Sequence, residues 1–192
     1  MLKNFKEYFT ANKHRIRDLE SEYLRLFDMG GVISPYETEY LHEKISRKPF
    51  ELADIAGFYQ AFGFGVRRSD RREPVDHVAV ELEFMAILAF KEQYAEANRR
   101  EDHLAIVQDA RKKFFAEHLA LWGFVYCSLI KGLACDEYYK RLGTLLKGIM
   151  TTECTRHGLD AAQYEKNAGG IHSRDVTDEE LACGQQFTTE GV

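Results

Sequence analysis

Only three prolines, Pro35, Pro49 and Pro74, occur in this 192-residue chain, and none follows Pro74. Proline ends helices and interrupts sheet ladders, so a chain this poor in it is free to run in long helices. The apolar residues use that freedom. Phe5, Phe9, Ile16, Leu19, Tyr23, Leu26 and Phe27 recur at helical spacing over residues 5–28. Gly30-Gly31 then supplies a stop. Pro49 suits the first turn of a second helix running to Phe62, with Leu52, Ile55, Phe58, Tyr59 and Phe62 on its apolar face. A third helix is expected from Pro74 to Ala97. It is apolar on two faces, as a helix at the centre of a bundle is.

Two more long helices follow. Leu104, Val107, Phe115, Leu119, Trp122, Tyr126 and Leu129 form a stripe from Glu101 to Leu133. Tyr139, Leu142, Leu145 and Met150 mark the core side of another from Asp136 to Arg156. Strand signals and internal repeats are absent. The expected fold is all-α, a single-domain helical bundle of five to seven helices over residues 1–167. The pattern weakens from Ala168, where Thr177-Asp178-Glu179-Glu180 reads as a capping box in an otherwise loosely structured tail, 168–192.

Composition excludes several classes of function. A formal charge of -5 argues against nonspecific nucleic-acid binding. No apolar run approaches the roughly 20 residues of a membrane span, so stable membrane insertion is not expected. The N-terminus, Met1-Leu2-Lys3-Asn4-Phe5-Lys6-Glu7, lacks the apolar centre of an export signal. The arginine pairs at Arg67-Arg68, Arg71-Arg72 and Arg99-Arg100 are internal and precede no leader-type stretch, so a cytoplasmic location is expected. Free thiols are then expected at Cys127, Cys135, Cys154 and Cys183. A zinc site from Cys154, His157, His172 and Cys183 has ligand spacing looser than structural zinc normally shows. Phosphate-loop, dinucleotide and nucleophile-elbow motifs are missing. The expectation is a non-enzyme without a cofactor or metal.

The stretch Glu73-Pro74-Val75-Asp76-His77 opens the third helix. Proline fits the first turn, and an acid there meets the positive end of the helix dipole. Asp76 either caps its own helix or accepts a guanidinium from a ligand, with His77 beside it as donor or acceptor. Glu73, Glu81 and Glu83 extend a possible acidic rim. Glu83 reads as solvated, whereas Glu81 interrupts an apolar neighbourhood and needs a partner if buried. Further along, Phe115, Leu119 and Trp122 share one helix face, with His118 able to bond across the bundle.

The Glu73 to Met85 block closely resembles the Glu-Pro-x-Asp-His signature of the TorD/DmsD-type chaperones, the redox-enzyme maturation proteins. The His118-Leu119 pair ahead of Trp122, the Pro35-Tyr36-Glu37 loop and Phe58-Tyr59-Gln60-Ala61-Phe62-Gly63 resemble further segments of that family. The resemblance spans about residues 20–150. It implies a cytosolic, all-helical chaperone that binds the twin-arginine leader, or the apo form, of a molybdenum- or tungsten-cofactor oxidoreductase. Such a chaperone delays export of its client until the cofactor is inserted. It also implies a monomer or a homodimer, since some members swap domains, and a peptide site at Asp76, His77, Glu73, Pro74, Glu81, Tyr59, Phe62, His118 and Trp122. One departure is that Trp122 is the single tryptophan, where some members place several such aromatics near the peptide. Two other classes remain open from the residues alone. One is a small helical metal- or nucleotide-binding enzyme using His77, His118 and the acids. The other is a structural subunit of a redox complex.

Overall fold

A computed structural model describes residues 7–8, 10–11, 15–28, 30–40, 47–65 and 73–167. Its elements are α1 (Ile16–Phe27), a 3-10 turn (Glu37–Glu39), α2 (Lys48–Ala61), α3 (Val78–Ala97), α4 (Glu101–Phe114), a π-helical turn (Phe115–Leu119), α5 (Ala120–Leu133), α6 (Glu137–His157) and α7 (Ala161–Asn167). No strand occurs among the described residues, and the all-α bundle expected from the periodicity is what forms. No described helix is long and apolar enough to cross a membrane. The capping box at Thr177 and the rest of the tail lie outside the described residues, as do His172 and Cys183.

Helix boundaries follow their local chemistry. Pro49 sits in the first turn of α2. Asp136 caps α6 by accepting from the Tyr138 N–H at 2.8 Å, and Gly158 closes that helix in the left-handed conformation at φ 66. Two boundaries differ from expectation. The third helix begins at Val78, not Pro74, because His77 is extended and bridges antiparallel to Tyr36. The stripe from Glu101 to Leu133 is continuous but contains the π turn at Phe115–Leu119. A π turn inserts one extra residue per turn and often marks a functional position.

Phe84, Phe114, Phe115, Trp122, Phe124 and Leu26 are the largest apolar side chains of the core and are fully buried. Phe84 and Phe114 meet edge to face at 4.7 Å, joining α3 to α4. α1 clamps the turn between α5 and α6. Arg15 donates to Asp136 at 2.6 Å, Arg25 donates to the Leu133 carbonyl at 2.7 Å, and Glu22 accepts from the Cys135 N–H at 2.6 Å. Cys135 is exposed in that turn and is not a free thiol. This corrects the expectation of four free thiols: Cys127 and Cys154 are free, and both are buried.

α5 and α6 approach closely because α6 carries a glycine at the crossing. A Cβ on Gly143 would sit 3.1 Å from the Cys127 carbonyl oxygen and 3.1 Å from Ile130 Cγ2. The carbonyl is backbone and cannot swing aside. Gly143→Val should therefore lower the unfolding free energy by about 1–3 kcal/mol through overpacking. Urea denaturation checks this, and an unchanged midpoint would mean the two helices are not held that close.

Candidate functional site

The segment Ser34 to Tyr40 crosses the N-terminus of α3 as a strap. The Glu37 N–H donates to the Asp76 carbonyl at 2.9 Å, and the Val78 N–H donates to the Pro35 carbonyl at 2.9 Å. Asp76 completes the strap from the other side. One of its carboxylate oxygens accepts from the Thr38 hydroxyl at 2.6 Å and faces the Thr38 N–H at 3.4 Å. Asp76 is only 2% exposed. Its carboxylate is thus committed inside the protein and does not open toward a ligand.

His77 supplies the helix cap. Its Nδ1 accepts from the Ala79 N–H at 3.1 Å, and its ring lies edge-on to Tyr36 at 5.4 Å. Accepting through Nδ1 requires a lone pair there, hence a neutral ring that carries its proton on Nε2. Burial lowers the His77 pKa, and Glu73 and Asp76 offset this only in part, which favours the neutral form. Glu73 is exposed, with its carboxylate 3.8 Å from His77 Nε2.

The strap drives Glu37 into the core. Glu37 is 0% exposed, as is Glu81 from the first turn of α3. Glu37 Oε1 lies 3.1 Å from His118 Nδ1. The Trp122 indole N–H donates to Glu81 at 3.2 Å, and Tyr40 packs on the Trp122 ring at 5.1 Å. Two carboxylates in one dry pocket cannot both ionise. Burial, then the charge of Glu37 and a hydrogen bond to it, holds Glu81 well above the ordinary carboxylate range. Glu81 therefore keeps its proton and shares it with Glu37. Burial depresses the His118 imidazole, but its hydrogen bond to Glu37, the charge of Glu37 and that of Asp54 outweigh this and raise it.

Eight of the nine residues singled out from the sequence fall into three groups, and Phe62 stands apart. Glu81, His118 and Trp122 belong to the buried polar chain centred on Glu37. Asp76 and His77 hold the strap and cap α3. Glu73, Pro74 and Tyr59 line a cleft of about 660 Å³ with Phe64 and Val75. In this third group Tyr59 is buried, and its hydroxyl donates to the Val75 carbonyl at 2.8 Å. Phe62 turns to a separate cleft of about 510 Å³ with Phe90, Tyr94 and His103. Glu83 is exposed, in keeping with a solvated position. The residue that sequence reasoning passed over is Glu37. It stands in a stretch without apolar period, so nothing local announces its burial; its one signal is the loop resemblance at Pro35-Tyr36-Glu37.

A third hollow begins one residue past His77. It is a groove of about 480 Å³ between α3, α5 and α6, lined by Val78, Leu82, Ala86, Tyr126, Leu145 and Ile149 among others. Arg111 and Glu153 stand at its polar end. Arg111 is itself neutralised by Glu153 and by Glu92, the latter at 2.6 Å.

The profile of the family described as nitrate reductase delta subunit matches residues 1–128. A chlorate reductase assembly chaperone protein of Ideonella dechloratans is 32% identical over 143 residues, covering 73% of this chain and 70% of that one. A selenate reductase assembly chaperone protein of Thauera selenatis is 31% identical over 148 residues, covering 76% of this chain and 73% of that one. No solved structure matches.

Two outcomes follow from the geometry. Asp76→Ala removes the acceptor of a buried hydroxyl, so it should cost about 1–3 kcal/mol in denaturant unfolding, where a purely ligand-facing acid would cost almost nothing. Glu81 has a raised native pKa, so the stability it contributes is full below the ordinary value of 4.5 and is lost as pH rises through the native value. Glu81→Gln stays neutral at every pH. Its melting temperature relative to the parent should climb steadily above pH 4.5; a difference that does not vary with pH would mean Glu81 is ionised in the native state.

Proposed function

The chain belongs to the nitrate reductase delta subunit family, within the redox-enzyme maturation chaperones, and is an assembly chaperone and not a catalyst; from that premise we propose that it binds the twin-arginine leader and the apo form of a molybdenum- or tungsten-cofactor reductase in the cytoplasm. It releases the client for export once the cofactor is in place. The relatives named for chlorate and selenate reductase assembly support a reductase as client.

The observation that carries the leader reading is the apolar groove that starts beside the capped end of α3. A twin-arginine leader is two guanidinium groups followed by an apolar, helix-forming stretch. That stretch matches a groove walled by α3 and α6, the helix-in-groove mode of recognition. The arginines would meet Glu73, whose carboxylate is exposed beside His77, whereas that of Asp76 is kept inside. Asp76 and His77 then act by holding the rim in place. A dissociation constant near 1 µM corresponds to about 8 kcal/mol. Burying a few leucine-sized groups with one or two charge-assisted hydrogen bonds supplies that surplus, and moderate affinity suits a partner that must be released.

Ala86 is exposed and faces the groove, so Ala86→Glu puts a charge there without disturbing the core. Titration calorimetry with a synthetic twin-arginine leader should show at least tenfold weaker binding for this variant, with unchanged helical circular dichroism. Glu73→Gln should flatten the modest loss of affinity with added salt. Full affinity in both variants would place the leader elsewhere.

A further inference from the structure

The groove between α3, α5 and α6 leaves apolar surface open to water. Ile149 on its rim is 45% exposed, and Ala79 and Ala86 on the α3 side are exposed too. Covering such a surface is favourable. α3 and α6 run parallel along the groove, since Arg156 toward the end of α6 pairs with Glu92 toward the end of α3 at 3.5 Å. Leu142 therefore lies at the Val78 end, where His77 and the exposed Glu73 also stand.

The chain's own N-terminal part approaches at that end. Arg15 donates to Asp136, the cap of α6, at 2.6 Å. Earlier in the chain, the Tyr8 ring centroid lies 4.7 Å from the guanidinium carbon of Arg141, in the second turn of α6. From Arg15 back to Tyr8 the chain thus advances along α6 toward Leu142, Leu145 and Ile149, which line the groove. Ahead of Glu7 stands Met1-Leu2-Lys3-Asn4-Phe5-Lys6. Ile149 lies about 12 Å along α6 from Arg141, and the stretch from Tyr8 to Met1 spans about 10 Å as helix and about 23 Å extended, so it reaches. Charge decides between the two ends of the chain. Residues 1–6 carry two lysines, three apolar side chains and no acid, whereas residues 168–192 carry five acids and one arginine. Glu73 at the mouth favours the basic segment.

We propose that residues 1–6 dock in this groove as its resident occupant, with Leu2 and Phe5 on the apolar wall and Lys6 toward Glu73, and that a leader must displace them. The segment repeats the leader's chemistry in small, cations beside apolar groups. The displacement rests on the leader reading of the groove; the docking itself does not. A tethered segment needs little intrinsic affinity. At an effective concentration of about 1 mM, a contact with a dissociation constant of about 0.1 mM fills the groove most of the time and weakens a competing leader roughly tenfold. Such a plug covers the apolar wall between clients and still yields to a leader of micromolar affinity.

The test uses the full chain with isotope-labelled isoleucine methyl groups, the Ile149 signal being assigned with Ile149→Leu. Leu2→Glu combined with Phe5→Glu should shift that signal. A synthetic peptide of residues 1–8, added to this double variant, should return it toward the parent position. In titration calorimetry the double variant should bind a synthetic twin-arginine leader about threefold to tenfold more tightly than the parent. Lys3→Glu combined with Lys6→Glu, which alters charge alone, should act in the same direction. An Ile149 signal indifferent to the substitutions and to the peptide would overturn the docking. A shifted signal with unchanged leader affinity would overturn the displacement. A shifted signal with no leader binding to parent or variant would uphold the docking and remove the leader reading instead.

Discussion

The two buried carboxyls, Glu37 and Glu81, and the single proton they share set the terms for the rest of this bundle. Neither could be sealed in the core as a bare charge, and each is admitted by its neighbours. Glu81 has the Trp122 N–H and its own proton, and Glu37 has the imidazole of His118. The strap that brings Glu37 inward is held by backbone bonds to Asp76 and Val78 and by the Thr38 hydroxyl on Asp76. The acid of the Glu-Pro-x-Asp-His segment thus works chiefly on the protein's interior. What stays open to solvent there is Glu73, and the apolar groove begins at Val78.

The architecture was legible because apolar period and helix punctuation agree along most of the chain. The stripe of Leu104, Val107 and Phe115 marks α4 and the π turn that continues it, and Pro49 and Asp136 mark the starts of α2 and α6 to within a residue. The start of α3 was misplaced because Pro74 is permitted in a first helical turn but does not compel one. The antiparallel bridge from Tyr36 to His77, a contact between segments far apart in sequence, decides the matter. No local pattern carries that information.

The site was half legible for the same reason. Glu81 stood out as an acid in apolar surroundings, and the structure gives it the partner such a residue needs. Trp122 was read as a core position and is buried, and His118, read as able to bond across the bundle, faces Glu37. Glu37 was hidden, since a loop glutamate is ordinarily solvated and only the fold of the strap turns it inward.

The π turn at Phe115–Leu119 has a consequence for how related chains compare. Each residue advances an α-helix by about 100°, so the surplus residue in this turn sets the angular phase of α5 against α4. Removing it would swing Trp122 roughly a quarter-turn away from Glu81. A one-residue gap between relatives at this place is therefore no tolerated length variation. It would mark a chain whose interior hydrogen bonding has been rebuilt.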